Sequence, residues 1–120
     1  MENFKAEFYS RTRIHALDVL RFLDTLPNSP TVLVLKKQLV RSATSTPANI
    51  LEARSASSRK DYINFYTHAL KSANESLFWI DLIKDYLRLS LPECNRLWRE
   101  TEEIAKILAK SILTLKTRSK

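Results

Sequence analysis

The sequence predicts an all-α protein, an antiparallel up-down-up-down four-helix bundle, and three observations predict it. Apolar residues recur at spacings of three and four along most of the 120 residues. Three stretches, LPNSP, SASSRKD and LSLPE, interrupt that rhythm with proline, serine and asparagine. No run alternates apolar and polar residues with the two-residue period of a strand. Short connections between long helices favour antiparallel neighbours. A chain of 120 residues is near the usual size of one domain, so residues 1–120 read as a single bundle domain with a short basic C-terminal tail.

Helix one covers residues 4 to 25, where Phe4, Phe8, Ile14, Leu17, Leu20 and Leu23 recur mostly at helical spacing before LPNSP stops them. Ser29 is placed to cap helix two, with Pro30 in the first helical position, where a missing N–H costs little. The face of helix two starts as Val32, Leu35 and Leu39 and continues in small and polar form as Ser42, Thr46, Asn49 and Ala53. Small residues allow two backbones to approach closely, and hydroxyls can bond back to the preceding turn. Pro47 removes a helical hydrogen bond at a cost of about 3 kcal/mol, so the helix either bends there or two segments meet. Arg41, Asn49, Glu52 and Glu75 are expected to form a structural polar network at this crossing.

Ser58 followed by Asp61 fits an N-cap with an acid at the third helical position, and helix three then runs to about Arg88. Its seam is Tyr62, Tyr66, Ala69, Ala73, Ser76, Ile80, Ile83 and Leu87, alternating by four and three, with a second line of Ile63, Leu70 and Leu77 beside it. Ser90 and Glu93 have capping-box spacing around Pro92, which starts helix four. Leu97, Thr101, Ile104, Leu108, Ser111 and Leu115 form its seam, and Trp98, Ala105 and Ile112 a second line. Two apolar lines on each of the last two helices predict self-association, with a wide core-facing stripe as the alternative.

Glycine is absent, so Walker-type and dinucleotide-binding loops, which need positive φ and close backbone approach to phosphate, are excluded. His15 and His68 lie on different helices without a companion cysteine, which predicts neither a metal site nor a cofactor. Cys94 has no cysteine to pair with and no sequence reason to lie near a histidine, so it reads as a small buried side chain and not a nucleophile. Glu100, Glu102 and Glu103 read as a solvated face balancing Lys106 and Lys110. The start MENFKAEF lacks a secretory apolar region and no run reaches the roughly 20 apolar residues that span a bilayer, so the expected location is the cytoplasm, with no membrane partner.

Charge is the informative feature. Twenty Lys and Arg against thirteen Asp and Glu give a net charge of +7. Residues 31 to 60 hold Lys36, Lys37, Arg41, Arg54, Arg59 and Lys60 against Glu52 alone, and after Glu103 come Lys106, Lys110, Lys116, Arg118 and Lys120 with no acid. Such fields attract polyanions. The residues assigned to nucleic-acid contact are Lys36, Lys37, Arg54, Arg59, Lys60, Lys106, Lys110, Lys116 and Arg118. Tyr62, Tyr66, Phe78 and Trp79 are assigned to packing and not to base stacking, because their spacing follows the helical seams.

QLVRSATSTPANILEARSASSRKDYINFYTHALKSANESLFWIDLI has a Gln-Leu-x-Arg-Ser opening, a small-residue stretch ending Ala-Asn-x-x-Glu, a basic connector and an Asp-Tyr start to the next helix. Gln38, Leu39, Arg41, Ser42, Ala48, Asn49, Glu52, Asp61 and Tyr62 carry this pattern, and Glu52-Ala53 with the Glu75 to Trp79 element marks one branch of it. Over about residues 36 to 88 the chain resembles the bacterial four-helix-bundle family of the 23S rRNA intervening-sequence protein. The resemblance implies a ring-forming bundle, usually a homopentamer. A looser likeness, to the accessory protein of diversity-generating retroelements, implies a basic pentamer that binds nucleic acid and a reverse transcriptase. The function expected is therefore a non-enzymatic homo-oligomeric scaffold that contacts the backbone of RNA or DNA, and the alternative is an adaptor for a reverse transcriptase or other nucleic-acid enzyme.

Overall fold

Each punctuation in the sequence becomes a helix end. The computed structural model describes residues 2–89 and 92–118, and comprises α1 (Glu2–Asp24), α2 (Pro30–Ala53), α3 (Arg59–Leu87) and α4 (Pro92–Arg118). Ser29 takes an extended conformation and its Oγ accepts from Val32 N at 3.3 Å, with Pro30 first in α2. Ser58 accepts from Asp61 N at 3.1 Å, while Asp61 Oδ2 accepts from Ser57 N at 3.3 Å, so the reciprocal half of the expected box lands one residue earlier. The expected cap of α4, Ser90, lies outside the described residues. Pro47 is buried within a continuous α2, so the two-segment reading of that helix fails.

The end of α3 adopts a geometry that usually calls for glycine. Arg88 sits at φ 54°, ψ 42°, with Leu89 N donating to Lys84 O at 2.9 Å. That is a Schellman closure, with Leu89 packed against the core below. A chain without glycine spends an arginine there, at a steric cost of roughly 1 kcal/mol.

The helices pack as a square in which each contacts two neighbours: α1 with α2 and α4, α3 with α2 and α4. Ser42 meets Ser76 and Ser45 meets Ser72, so α2 and α3 run antiparallel; Arg11 meets Glu100 and Asp18 meets Arg96, so α1 and α4 do too. The bundle measures 50 × 24 × 21 Å. Its upper end carries the α1–α2 and α3–α4 connections, and its lower end carries the α2–α3 connector and the outer ends of α1 and α4.

The core has two apolar halves. Val19, Phe22, Leu23, Leu39, Ile80, Ile83, Cys94 and Leu97 fill the upper half; Phe8, Ile50, Tyr66, Ala69, Ile104, Leu108 and Ile112 fill the lower. Between them lies a waist of buried polar side chains, Thr12, His15, Ser42, Thr46, Ser72, Ser76 and Thr101. Each hydroxyl is satisfied locally or across helices: Thr46 donates to Ser42 O, Ser76 to Ser72 O, and Ser42 Oγ meets Ser76 Oγ at 2.8 Å. The small-residue stretch of α2 is therefore its share of this waist, where close α2–α3 approach and hydrogen bonding occur together.

Three expectations are corrected. The face of α1 runs through Phe8, Thr12, His15, Val19, Phe22 and Leu26, while Phe4 and Ile14 are both 58% exposed. The second apolar lines of α3 and α4 belong to the core: Ala105 and Ile112 are buried, and Ile63, Leu70 and Trp98 pack against it. The apolar side chains left outside on α3 are Phe78, Leu82 and Tyr86, one turn apart and 57%, 38% and 53% exposed. Phe78 is thus not a packing residue, although it touches Trp79 edge to face.

Candidate nucleic-acid interface at the connector end

Antiparallel packing brings the two basic runs together. Arg54 ends α2, Arg59 and Lys60 begin α3, and Lys110, Lys116 and Arg118 lie in the closing turns of α4; all six are exposed at the lower end. Lys5, in the first turns of α1, joins them. Lys5, Arg54, Arg59, Ser58 and Tyr62 line a cavity of about 520 Å³ whose walls carry no carboxylate. Lys5 Nζ lies 5.1 Å from the Tyr62 ring centroid, and the Arg54 guanidinium lies 5.1 Å from that of Tyr9. These cation–π contacts hold two charges in place. Glu52 and Asp61 also belong to this end, the latter committed to Ser57 and Ser58 around the helix start.

The other assigned residues stand elsewhere. Lys36 Nζ donates to Leu26 O at 2.9 Å and to Asn28 Oδ1 at 2.8 Å, which fastens the α1–α2 connection. It and exposed Lys37 lie about 25 Å above Ala53 at 1.5 Å per residue. Lys106 is exposed and 3.7 Å from Glu102. Lys5 escaped sequence reasoning because it sits in neither basic run; only the pairing of the α1 start with the α4 end places it at the site.

The expected polar network also differs. Arg41, Glu52 and Glu75 are exposed, and Asn49 donates to Ser45 O at 2.9 Å and Ser45 Oγ at 3.1 Å. Among the described residues no hydrogen bond or ion pair joins any two of these four. The residues facing α3 are Ser42, Ser45 and Thr46, so the charged side chains of α2 fall on its outer surface.

A larger groove of about 960 Å³ runs between α1 and α4, and Arg11, Glu100, Arg96 and Asp18 in its lining are paired with one another. Arg11 forks onto Glu100 with both contacts at 2.8 Å, and Arg96 reaches Glu93 at 2.7 Å and Asp18 at 3.6 Å. Arg11 holds the Glu100 carboxyl below its ordinary range, and Arg96 does the same for Glu93. At its floor His15 is 8% exposed, and burial pushes its imidazole below the usual 6.5. Burial likewise pushes the Cys94 thiol up, and burial together with the neighbouring Tyr62 hydroxyl raises the Tyr66 phenol well above its ordinary value. Each shift favours the neutral form of a potential base or nucleophile, or fixes a carboxylate in an ion pair.

Fold and site together define a small, basic four-helix bundle with a hydroxyl-lined waist and one cationic end. The chain belongs to the 23S rRNA-intervening sequence protein family, which it matches over residues 5–110. That match takes in most of helices one and four as well as the central motif. A crystal structure of a protein of unknown function from the S23 ribosomal protein family of Bacteroides thetaiotaomicron shares 32% identity and a TM-score of 0.80, covering 88% of this chain and 97% of that one. No functionally curated protein matches the chain. Among the described residues, no helix is long and apolar enough to cross a membrane.

Proposed function

We propose that the protein is a non-enzymatic, homo-oligomeric scaffold that binds the backbone of RNA or DNA with its connector end. The observation that carries this reading is convergence: Lys5, Arg54, Arg59, Lys60, Lys110 and Arg118 come from all four helices to one end, around a cavity walled by cations without a carboxylate. Phosphate contacts of this kind are individually weak and sequence-independent. A ring of copies, a homopentamer in the arrangement the family resemblance implies, repeats the patch and multiplies its avidity. Supporting a binding role over a catalytic one, His15, Cys94 and Tyr66 are all buried, and burial keeps the Cys94 thiol and the Tyr66 phenol protonated.

The test is binding to structured RNA, single-stranded DNA and duplex DNA across a salt series, with mass determined in the same buffers. Reversing Arg54, Arg59 and Lys60 to glutamate is expected to weaken binding at least tenfold and flatten the dependence of log affinity on log salt, with mass unchanged. Unchanged affinity removes the connector from the site. Equal binding of all three ligands that disappears at physiological salt leaves only generic attraction, and moves the assignment to an adaptor for a reverse transcriptase or another nucleic-acid enzyme.

A further inference from the structure

Beside the cationic cavity, sharing Lys5, Tyr62 and Leu115 with it, a second groove of about 490 Å³ has a different chemistry. Phe4, Tyr62, Tyr66, Ile107 and Leu115 supply its apolar surface. Lys5 on α1 and Lys110 and Arg118 on α4 stand on its two sides, and no carboxylate lines it. Phe4 is 58% exposed although it stacks on buried Phe8 at 6.3 Å, so the groove extends the lower core outward to the surface.

We propose that this groove docks an amphipathic helix of a partner protein whose apolar face is flanked by acidic residues. The lining follows α4 from Ile107 to Arg118, about 16 Å at 1.5 Å per residue, which accommodates anchors at i, i+4 and i+7 of a helix laid along it. An apolar floor between cations on opposing walls complements a ligand with an apolar stripe between acidic edges. Unpaired bases fit the lining less well. The Tyr62 ring stacks on Tyr66 at 4.8 Å and carries Lys5 at 5.1 Å, so it is already occupied by both neighbours. The inference holds whether or not the adjoining cavity binds nucleic acid.

The experiment uses the full-length protein and a fluorescein-labelled 18-residue helical peptide with leucine at i, i+4, i+7 and i+11 and glutamate on both flanks. Controls are the same peptide with lysine flanks and a glutamate-rich peptide without the leucines. Anisotropy is expected to show saturable binding of the first peptide and at least tenfold weaker binding of both controls. Phe4→Ser, at an exposed position, is expected to weaken it fivefold or more; Lys110→Glu, also exposed, to weaken it and to improve binding of the lysine-flanked peptide. Equal binding of the leucine-free peptide, or indifference to both substitutions, reduces the groove to general attraction for polyanions and overturns the proposal. A loss of oligomer mass on Phe4→Ser identifies a second copy of this chain as the occupant and overturns it equally.

Discussion

At Arg88 the structure asks for a residue the chain does not use anywhere. A left-handed residue closes α3, and among the described residues the Arg88 side chain makes no hydrogen bond or ion pair. Arg88→Gly is therefore expected to stabilise the fold by about 1 kcal/mol, as glycine relieves the Cβ–carbonyl clash, and urea denaturation with an unchanged slope will register it. His15 makes a second residue-scale prediction. Its Nε2 lies 2.7 Å from Thr101 Oγ1, and that hydroxyl already donates to Leu97 O, so Nε2–H is the donor and Nδ1 is left without a protein partner among the described residues. Arg11 and Asp18 face the ring from α1, and Arg96 and Glu100 from α4, while α2 and α3 present only Ala43, Thr46, Ala73 and Ser76 around the cavity it lines. A folded pKa below 6.5 means that the unfolded chain takes up the proton first. The stability of the neutral form is thus complete above pH 6.5 and declines as pH falls beneath it, by up to about 1.4 kcal/mol per unit. Unfolding measured between pH 5 and 7.5 is expected to show that slope in the native protein and a flatter one in His15→Gln. Titration of the ion-paired Glu93 and Glu100 lies below their ordinary value of 4.5, outside this window.

At the scale of the elements, the waist determines how α2 and α3 meet. Ser42 and Ser76 hydroxyls pair across the two helices at 2.8 Å; Ser76 donates to Ser72 O at 3.0 Å, which leaves Ser42 to donate across. Removing one partner leaves the other with a buried hydroxyl short of a contact, whereas removing both leaves two alanines of compatible size. Ser76→Ala is expected to cost about 1 kcal/mol, and the Ser42→Ala, Ser76→Ala double variant less than the sum of the single ones, as a double-mutant cycle in thermal unfolding will measure. The waist also shows what was legible in the sequence. The seams of α3 and α4 were read from Tyr66, Ala69, Ile80, Leu97 and Leu108, because apolar periodicity reports burial directly. Caps at Ser29 and Ser58 were legible because their side chains act within three residues of themselves. The true face of α1 was not, because Thr12 and His15 interrupt its apolar rhythm and their burial depends on partners such as Thr101 on α4, far off in sequence. The cationic end was half legible: its two runs could be counted, but only the antiparallel fold adds Lys5 and sets aside Lys36, which a backbone carbonyl holds at the opposite end.

For the whole molecule, the distribution of outward apolar side chains bears on assembly. The second lines of α3 and α4, expected to join subunits, lie largely in or against the core: Ala105 and Ile112 are buried, and Ile63, Leu70 and Trp98 pack against it. A charge at Ile112 would therefore attack the fold and say nothing about association. Phe78, Leu82 and Tyr86 are different, forming an exposed stripe at i, i+4 and i+8 on α3 whose removal from water would contribute about 25 cal/mol per Å². It lies toward the upper half of the bundle, away from the connector, so a ring closed through it leaves the lower ends of its copies open and their cationic patches side by side. Leu82→Asp places a charge in the middle of this stripe without entering either half of the core. In sedimentation equilibrium it is expected to reduce the oligomer toward monomers of 13.9 kDa, with helicity by circular dichroism unchanged. On the proposed function nucleic-acid affinity is expected to fall with it, because a monomer would keep the proposed phosphate contacts and lose the avidity of a ring. If mass falls and affinity holds, one subunit carries the whole site; if mass holds, the stripe serves another partner and the subunits meet elsewhere.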